Sequence, residues 1–285
     1  MSFGEIFREI RLSRGYSIES LADEVVSKST ISRFERLESD ITFEKLIHLL
    51  EKLKISMNEF FYLSMKKNPK THALELLPKV ILSNDLEILK QLVEDEWKKY
   101  NNTTDLYAKL TAIVLEKHYK NLTEKNVDYD DHLTFLTDYF FRCDLWTQFD
   151  LVLFGNAMGY IPVETSIVIS KELVKKSERF YKNRQSFETI INIIENMVFV
   201  CLKHQRLSDA GEFIKILENF HLDESDLLER VIIKFFKGLY LSEKGERKRG
   251  EKMAKEALLA MKLAGSINLE RVYREYFNEI AHSKE

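Results

Sequence analysis

The sequence predicts an all-α protein, and three features of its composition and patterning indicate this. Nine glycines and three prolines occur in 285 residues. That is about 4% of the chain, where about 12% is average, and a shortage of turn-forming residues favours long helices over many short strands. Hydrophobic residues make up 45% of the chain, enough for a packed core. Apolar residues recur mainly at the three- and four-residue spacing of a helix face.

Residues 1–65 are predicted to form a domain of five short helices. The first follows a capping box of Ser2 and Glu5, in which each residue binds the other's backbone. Gly15 suits its end, because glycine adopts the left-handed backbone conformation at little cost. A second helix begins after Ser17, and a break leads into a third helix over residues 28–36. Two more helices follow, the last opened by a second capping box at positions 56 and 59.

Residues 66–70 are predicted to be a linker, because this short segment is rich in lysine and contains Pro69. Residues 71–285 are predicted to form a helical repeat domain for ligand binding and dimerisation. Pairing its helices gives one unit every 35–40 residues or so, which is typical of tetratricopeptide-like repeats. Stacked helix pairs commonly form a concave surface that holds an extended ligand. The predicted helices lie near 71–82, 85–100, 104–121, 129–142, 145–158, 162–181, 185–204, 207–220, 224–242, 246–263 and 267–282.

Residues 17–36 indicate a DNA-binding function. Two short helices joined by a tight turn form a helix-turn-helix, whose second helix enters the DNA major groove. Ile31 and Phe34 are predicted to face the core, which leaves a polar face outward. Short hydroxyl side chains allow close approach to base edges, and arginine can bind guanine or phosphate. The candidate DNA-binding residues are Ser27, Lys28, Ser29, Thr30, Ser32, Arg33 and Arg36.

The charge balance limits how DNA could be bound. The whole chain has a net charge of −3, which excludes a uniformly basic binder. Residues 1–65 hold nine Lys or Arg and eleven Asp or Glu, so one copy would bind DNA weakly and two copies are expected to bind together. Arg11 and Glu35 are predicted to form an internal ion pair that braces the first helix against the third.

Residues 2–63 resemble the lambda-repressor/Cro-type (XRE) helix-turn-helix. Within them, SLADEVVSKSTISRFERLESDITFEKLIHLLEKLKISMNEFF is similar to the Rgg/GadR/MutR family of transcriptional regulators, and LTDYFFRCDLWTQFDLVLFGN extends the resemblance into the C-terminal domain. The resemblance implies a cytoplasmic homodimer that binds promoter DNA through its first domain. It also implies that the repeat domain binds a short signalling peptide, as in quorum sensing. Two positions depart from the family: Leu37 stands where glycine is frequent, and Phe43 stands where some relatives have a cysteine that could form an inter-subunit disulfide.

Three asparagines are candidate peptide-binding residues, because one planar amide can both donate to and accept from a peptide backbone. The resemblance places Asn156 and Asn196 at positions where family members hold the peptide, and it carries less clearly to Asn192. Asn192 and Asn196 share one helix face with Phe199. Asparagine side chains in helices also commonly face solvent or form hydrogen bonds to the backbone of their own helix. This structural role remains an alternative to peptide binding.

Other function classes find little support. GxGxxG, Walker A, HExxH and GxSxG motifs do not occur in the sequence, so an enzyme is not expected. No apolar run approaches the length of a membrane span, and the N-terminus does not resemble a signal peptide. The two cysteines lack metal-site spacing, so neither a metal nor any other cofactor is expected and a reducing cytoplasm fits.

Two alternatives to a peptide-responsive regulator remain. In the first, the protein is a helical-repeat interaction module whose N-terminal domain docks protein rather than DNA, which the acidic balance of residues 1–65 would favour. In the second, the protein binds DNA but its repeat domain only dimerises or senses something other than a peptide.

Overall fold

The computed structural model describes residues 2–65, 72–124, 128–177, 181, 183–220 and 222–282. These residues form sixteen helices and no strand, which confirms the predicted all-α class. The chain divides into two compact units, Met1–His72 and Ala73–Glu285. The linker predicted at residues 66–70 lies outside the described residues. Over the described ranges, no helix combines the length and the apolar character needed to cross a bilayer.

The first unit contains the five predicted helices. Both capping boxes form, since the Ser2 hydroxyl accepts from the Glu5 amide and the Ser56 hydroxyl accepts from the Glu59 amide. Gly15 has a φ of 72° and follows the end of the first helix, as predicted. The core unites apolar residues of all five helices, including Ile31 and Phe34. The helices are α1 (Phe3–Ser13), α2 (Ile18–Leu21), α3 (Lys28–Glu35), α4 (Phe43–Leu53) and α5 (Met57–Met65).

The predicted ion pair between α1 and α3 is present and almost fully buried. Arg11 donates from Nε to Glu35 Oε1 at 2.6 Å and from Nη2 to Glu35 Oε2 at 2.7 Å, and the two side chains are 7% and 4% exposed. Arg11 Nη1 also donates to the Tyr16 carbonyl at 2.7 Å. Two parallel hydrogen bonds fix the angle of a carboxylate against a guanidinium. The pair therefore sets how α3 lies against α1.

The end of α3 shows how the chain accommodates a leucine where glycine is frequent. Leu37 adopts a left-handed backbone with a φ of 62°. Its amide donates to the Phe34 carbonyl at 3.1 Å, and the Glu38 amide donates to the Arg33 carbonyl at 2.9 Å. These two bonds form the Schellman motif that commonly ends a helix. The helix is thus capped by the usual backbone geometry, at the cost of a strained non-glycine residue.

In the described part of the second unit there are eleven helices, each overlapping one of the eleven predicted segments. Most consecutive helices pack against each other, and α9 also packs against α11. The alternate helices α8, α10, α12 and α14 pack side by side in that order. The helices are α6 (Ala73–Ser83), α7 (Leu86–Thr103), α8 (Leu106–Glu124), α9 (Asp131–Phe141), α10 (Gln148–Ala157), α11 (Val163–Ser177), α12 (Arg184–Lys203), α13 (Leu207–Asn219), α14 (Leu227–Glu243), α15 (Arg247–Leu263) and α16 (Ile267–His282).

One continuous apolar core runs through the second unit. An aromatic group forms part of it: the Phe140 ring stacks on Trp146 at 5.8 Å between centroids and meets Phe154 edge-on at 5.1 Å. Towards the C-terminal end of the second unit, α14 and α15 cross with their backbones in contact. A Cβ at Gly250 would lie 2.3 Å from the Ser242 amide nitrogen, so only glycine fits this crossing.

The buried ion pair gives a prediction for stability. Glu35→Leu leaves the Arg11 guanidinium buried without a counter-charge, so we expect it to lower the free energy of unfolding of the first unit by about 3–5 kcal/mol. Both tryptophans, Trp97 and Trp146, lie in the second unit. In urea, the first unit of this variant should therefore unfold before the second unit. This early unfolding transition should appear in far-UV circular dichroism and not in tryptophan fluorescence.

The control is the double variant Arg11→Met/Glu35→Leu, which removes both charges and should recover most of the lost stability. A double variant no more stable than Glu35→Leu would show that the loss came from altered packing at position 35 rather than from an unpaired arginine.

Candidate functional site

The seven candidate DNA-binding residues share one outward side of α3 and its start. Ser27, Lys28, Ser29, Arg33 and Arg36 are exposed, and the other two, on the same helix, are half-buried. Ile31 and Phe34 on the opposite side are buried at 0% and 6% exposure. The helix therefore presents short hydroxyls and two guanidiniums to solvent while its apolar side is fixed in the core.

Internal bonds organise most of this surface before any ligand arrives. The Ser27 hydroxyl accepts from the Thr30 amide at 3.3 Å and so caps α3, and Lys28 pairs with Glu19. Arg36 donates to Glu38 at 2.7 and 2.9 Å, which lowers the pKa of the Glu38 carboxyl. These pairs are solvent-exposed, and exposed ion pairs are worth only about 0–1 kcal/mol, so a phosphate can replace the carboxylates.

Arg33 differs from its neighbours on α3. It is exposed, and within the described ranges no ion pair is found for its guanidinium. It lies one helical turn before Arg36 on the same helix side. Arg33 is therefore the cation on this surface that can bind an external group without first breaking an internal pair.

The turn between α2 and α3 is held by Asp23, a residue that the sequence did not single out. Its Oδ1 accepts from the Val25 and Val26 amides at 2.9 and 3.0 Å. Its Oδ2 accepts from Lys52 Nζ at 2.9 Å and from His48 Nε2 at 2.7 Å, both on α4. The hydrogen bond from Lys52, followed by that from His48, holds the pKa of Asp23 well below its usual range. This carboxylate ties the turn to α4 and so fixes where α3 begins.

The three candidate peptide-binding asparagines lie on two adjacent helices, α10 and α12. Gln148 ties the helices together, because it donates to Thr189 Oγ1 at 3.0 Å and accepts from Ser186 Oγ at 3.2 Å. A Cβ at Gly155 would lie 3.4 Å from Ile193 Cγ1, so these two residues pack directly. Asn156 and Asn192 are their sequence neighbours and therefore lie near the same level of the two helices.

The asparagines differ in their freedom to bind a ligand. Asn192 and Asn196 are exposed on α12. Asn156 is half-buried, and its Nδ2 donates to the Val152 carbonyl at 2.8 Å within its own helix. A local bond was the alternative noted for helix asparagines. Asn156 thus offers its side-chain oxygen and one remaining N–H.

A half-buried His–Tyr pair supports the end of α10. Tyr160 Oη lies 2.9 Å from His118 Nδ1, and His118 Nε2 lies 3.0 Å from the Asn156 carbonyl. A carbonyl only accepts, so Nε2 carries the proton and Nδ1 accepts from the tyrosine hydroxyl. Burial lowers the pKa of His118 to about 4 and raises that of Tyr160. The contact satisfies a carbonyl that α10 leaves without a partner at its end.

An open cavity of about 610 Å³ adjoins this pair. We call it the α10–α12 cavity, because it lies at the C-terminal ends of those two helices. Sequence patterning gave no sign of it, since it is assembled from segments far apart in the chain. It is lined by Tyr129, Met158, Gly159, Tyr160, Ile161, Pro162, Val163, Glu164, Phe199, Val200, Lys203, His204 and Arg206.

The two cysteines, the possible metal-ligating side chains and the basic start of α15 do not form a further functional site among the described residues. Burial raises the pKa of Cys143 to about 11 and that of Cys201 to about 12, so neither thiol is activated as a nucleophile. Among the described residues there is no group of three or more His, Cys, Asp or Glu side chains that could hold a metal ion. The basic start of α15 is exposed and internally paired, with Arg247 and Lys255 both bound to Glu251.

Comparison with known proteins extends over nearly the whole chain. The family model described as HTH-type transcriptional regulator Rgg, C-terminal domain, matches residues 90–275, and a helix-turn-helix model matches residues 7–60. The structure is similar to the SHP pheromone receptor Rgg2 of Streptococcus dysgalactiae, at 27% identity and a TM-score of 0.80, covering 98% of this chain and 100% of that one.

Two more distant structures share the fold. One is a chain from Listeria monocytogenes EGD-e, at 16% identity and a TM-score of 0.87, with 99% of this chain and 98% of that chain covered. The other is a bacterial peptide pheromone/receptor complex, at 17% identity and a TM-score of 0.70, with 98% of each chain covered. At these identities the likeness establishes the fold alone.

His118 gives a prediction for pH. Its folded pKa of about 4 lies below the ordinary 6.5, so between these values the unfolded chain binds a proton that the folded chain does not. The stability that neutral His118 contributes is therefore present above pH 6.5 and is lost as the pH falls towards 4. We expect a loss of about 2 kcal/mol between pH 7 and pH 5 from this group, measured by urea unfolding with tryptophan fluorescence.

His118→Gln should lack this component, whereas His132→Gln, at a 40% exposed position, should retain it. Equal pH-dependence in the wild-type protein and His118→Gln would mean that His118 does not hold its neutral form in the folded chain.

Proposed function

The chain belongs to the Rgg family of helix-turn-helix transcriptional regulators, and from this we propose that it binds promoter DNA as a homodimer under the control of a short signalling peptide. The observation that carries the proposal is the outward side of α3, an exposed row of hydroxyls and guanidiniums held by a buried ion pair. The proposal assigns DNA reading to α3 and peptide binding to the surface of α10 and α12.

We assign the DNA contacts by chemistry. Arg33 is suited to a base edge, because its fork can bind guanine O6 and N7 and it has no internal pair to break. Arg36 and Lys28 are suited to phosphate, which can replace their exposed carboxylate partners. The hydroxyls of Ser27, Ser29, Thr30 and Ser32 allow close approach to the groove.

The charge of the first unit supports the proposal of a homodimer. With a net charge of −2 over residues 1–65, one copy gains little from phosphate neutralisation. Two copies joined through the second unit would place two reading helices in successive major grooves of an inverted repeat, which multiplies the effective affinity.

We propose that an extended peptide lies over α10 and α12, with backbone hydrogen bonds to Asn196, Asn192 and the free side-chain oxygen of Asn156. A planar amide can pair with both groups of a peptide unit. The pheromone receptor function of Rgg2, at 27% identity, supports a peptide as the ligand class. Peptide binding would favour one arrangement of the repeat domain and so alter transcription, as in quorum sensing.

The proposal places the protein in the cytoplasm, where promoter DNA is accessible, and gives it a regulatory rather than enzymatic role. The raised pKa values of both cysteine thiols agree with that role. Family membership favours this function over the alternative in which the first domain docks protein instead of DNA.

The reading helix gives a direct test. A DNA duplex is first selected from a genomic fragment library with the wild-type protein. Arg33→Ala should then weaken binding to that duplex by about 10- to 100-fold, because one bidentate base contact is worth about 1–3 kcal/mol. Arg8→Ala, which removes the same charge from an exposed position on α1, should change the affinity less than threefold. Equal affinities for wild type and Arg33→Ala would remove α3 from the interface.

The peptide surface has its own test. A randomised octapeptide pool is incubated with the full-length protein, and the retained peptides are sequenced by mass spectrometry. Asn196→Ala should weaken the best retained peptide by about tenfold, since a backbone group of the peptide loses its partner. Asn101→Ala, an exposed asparagine on α7, should have no effect. Retained peptides that bind Asn196→Ala normally would favour a repeat domain that only dimerises or senses another ligand.

A further inference from the structure

We propose that the α10–α12 cavity receives one apolar residue of the bound peptide together with a carboxylate, which pairs with Lys203 and Arg206. The inference rests on the proposed peptide-binding function. It adds the chemistry of one part of the ligand and the place where that part binds.

The cavity continues the surface that bears the asparagines. Asn192, Asn196, Phe199 and Lys203 follow one another at i, i+4, i+7 and i+11, which is a single face of α12. The last two of them line the cavity. On the other side, the cavity wall begins at Met158, two residues after Asn156. A chain extended along the asparagine face therefore reaches the cavity mouth.

The walls are suited to an apolar side chain. Eight of the lining residues are aliphatic, aromatic or proline: Tyr129, Met158, Tyr160, Ile161, Pro162, Val163, Phe199 and Val200. Ligand pockets are commonly lined in this way, with a few polar groups that fix orientation. A volume of about 610 Å³ lies within the usual range for such sites and exceeds what one side chain fills, so the space admits a residue together with its backbone.

The polar groups at the cavity favour a carboxylate. Two of its lining residues, Lys203 and Arg206, carry positive charge, and Glu164 alone carries negative charge. Lys203 pairs with Glu279 at 2.7 Å, and Arg206 pairs with Glu164 at 2.7 Å and with Asp209 at 3.0 Å. The side chains of the two glutamate pairs are all at least 40% exposed, so these two pairs are weak and a ligand carboxylate can replace either glutamate.

The walls are already held in place. The Phe199 ring stacks on Tyr276 of α16 at 4.1 Å, and the Lys203–Glu279 pair joins the same two helices. Tyr160 is held by its hydrogen bond to His118. A preformed pocket spares the ligand the entropic cost of ordering it. A ligand in the cavity would also contact Phe199 directly, and Phe199 packs on the C-terminal helix α16.

The carboxylate could be the peptide's own C-terminus or an acidic side chain. Both have the same chemistry, and the test separates them. The best octapeptide retained by the wild-type protein is made in three forms: with a free C-terminus, with an amidated C-terminus, and with each acidic side chain replaced by its amide. Affinities are measured by fluorescence anisotropy with an N-terminal label.

Gly159→Leu is the blocking variant. A Cβ at Gly159 meets nothing within 4 Å and its φ is not in the left-handed region, so a side chain fits there. Gly159 lines the cavity, so we expect a leucine at this position to take up space that the ligand needs. We expect this variant to bind the peptide at least tenfold more weakly. Lys215→Leu adds the same side chain to an exposed position on α13 and should stay within twofold of wild type. Circular dichroism checks that both variants fold.

The double variant Lys203→Gln/Arg206→Gln keeps the test decisive if Gly159→Leu fails to fold. It should reduce affinity at least fivefold for the peptide with its carboxylate and leave the affinity of the matching amide form unchanged. Loss on C-terminal amidation identifies the C-terminus as the source, and loss on side-chain amidation identifies an acidic residue.

Normal peptide binding by Gly159→Leu would overturn the inference while leaving peptide binding itself intact. Full affinity in every amide form would likewise overturn the carboxylate assignment. If the wild-type protein retains no peptide at all, the proposed peptide function fails, and this inference fails with it.

Discussion

The buried Arg11–Glu35 pair is the interaction on which the position of α3, the proposed DNA-reading helix, depends. Removing two charges from water is costly, and the cost is offset only when geometry is good and the remaining donors are satisfied. Here the carboxylate accepts two hydrogen bonds and the third guanidinium nitrogen donates to the Tyr16 carbonyl. Such a pair tolerates little change in the angle between α1 and α3. A Cβ at Gly4 would lie 2.1 Å from the Phe34 carbonyl oxygen, so the helices also touch closely near the end of α3.

In the second unit, α12 occupies the central place. It packs against α10, α11, α13, α14 and α16, and half of its residues are buried. Its narrow exposed face carries two asparagines and then reaches the cavity through Phe199 and Lys203. Because packed helices move as rigid elements rather than deforming continuously, a ligand on that face acts on several neighbours at once. The stacking of Phe199 on Tyr276 connects the cavity to the C-terminal helix.

Most of the structural features that could be predicted were predicted from local sequence patterns. Helix periodicity located all eleven repeat helices, and cap chemistry located both capping boxes, because each depends on residues a few positions apart. The Arg11–Glu35 pair was also predictable, since the helix frame placed one charge on each buried face. The His118–Tyr160 bond joins residues 42 positions apart, and Asp23 binds His48 25 positions away. Such contacts arise from tertiary packing, and the cavity arises from the same packing, so periodicity and spacing do not reveal them. The roles of the seven α3 residues and the three asparagines remain predictions.

The central claim is that this near-neutral chain reads a specific DNA sequence through α3 of two copies. The most direct measurement is fluorescence anisotropy with a labelled duplex from the region flanking the protein's own gene and a scrambled duplex, between 50 and 200 mM salt. The account predicts tighter binding to the first duplex and an affinity that falls at least about tenfold over this range, because several phosphate contacts release counterions. Equal binding of both duplexes with no dependence on salt would contradict it.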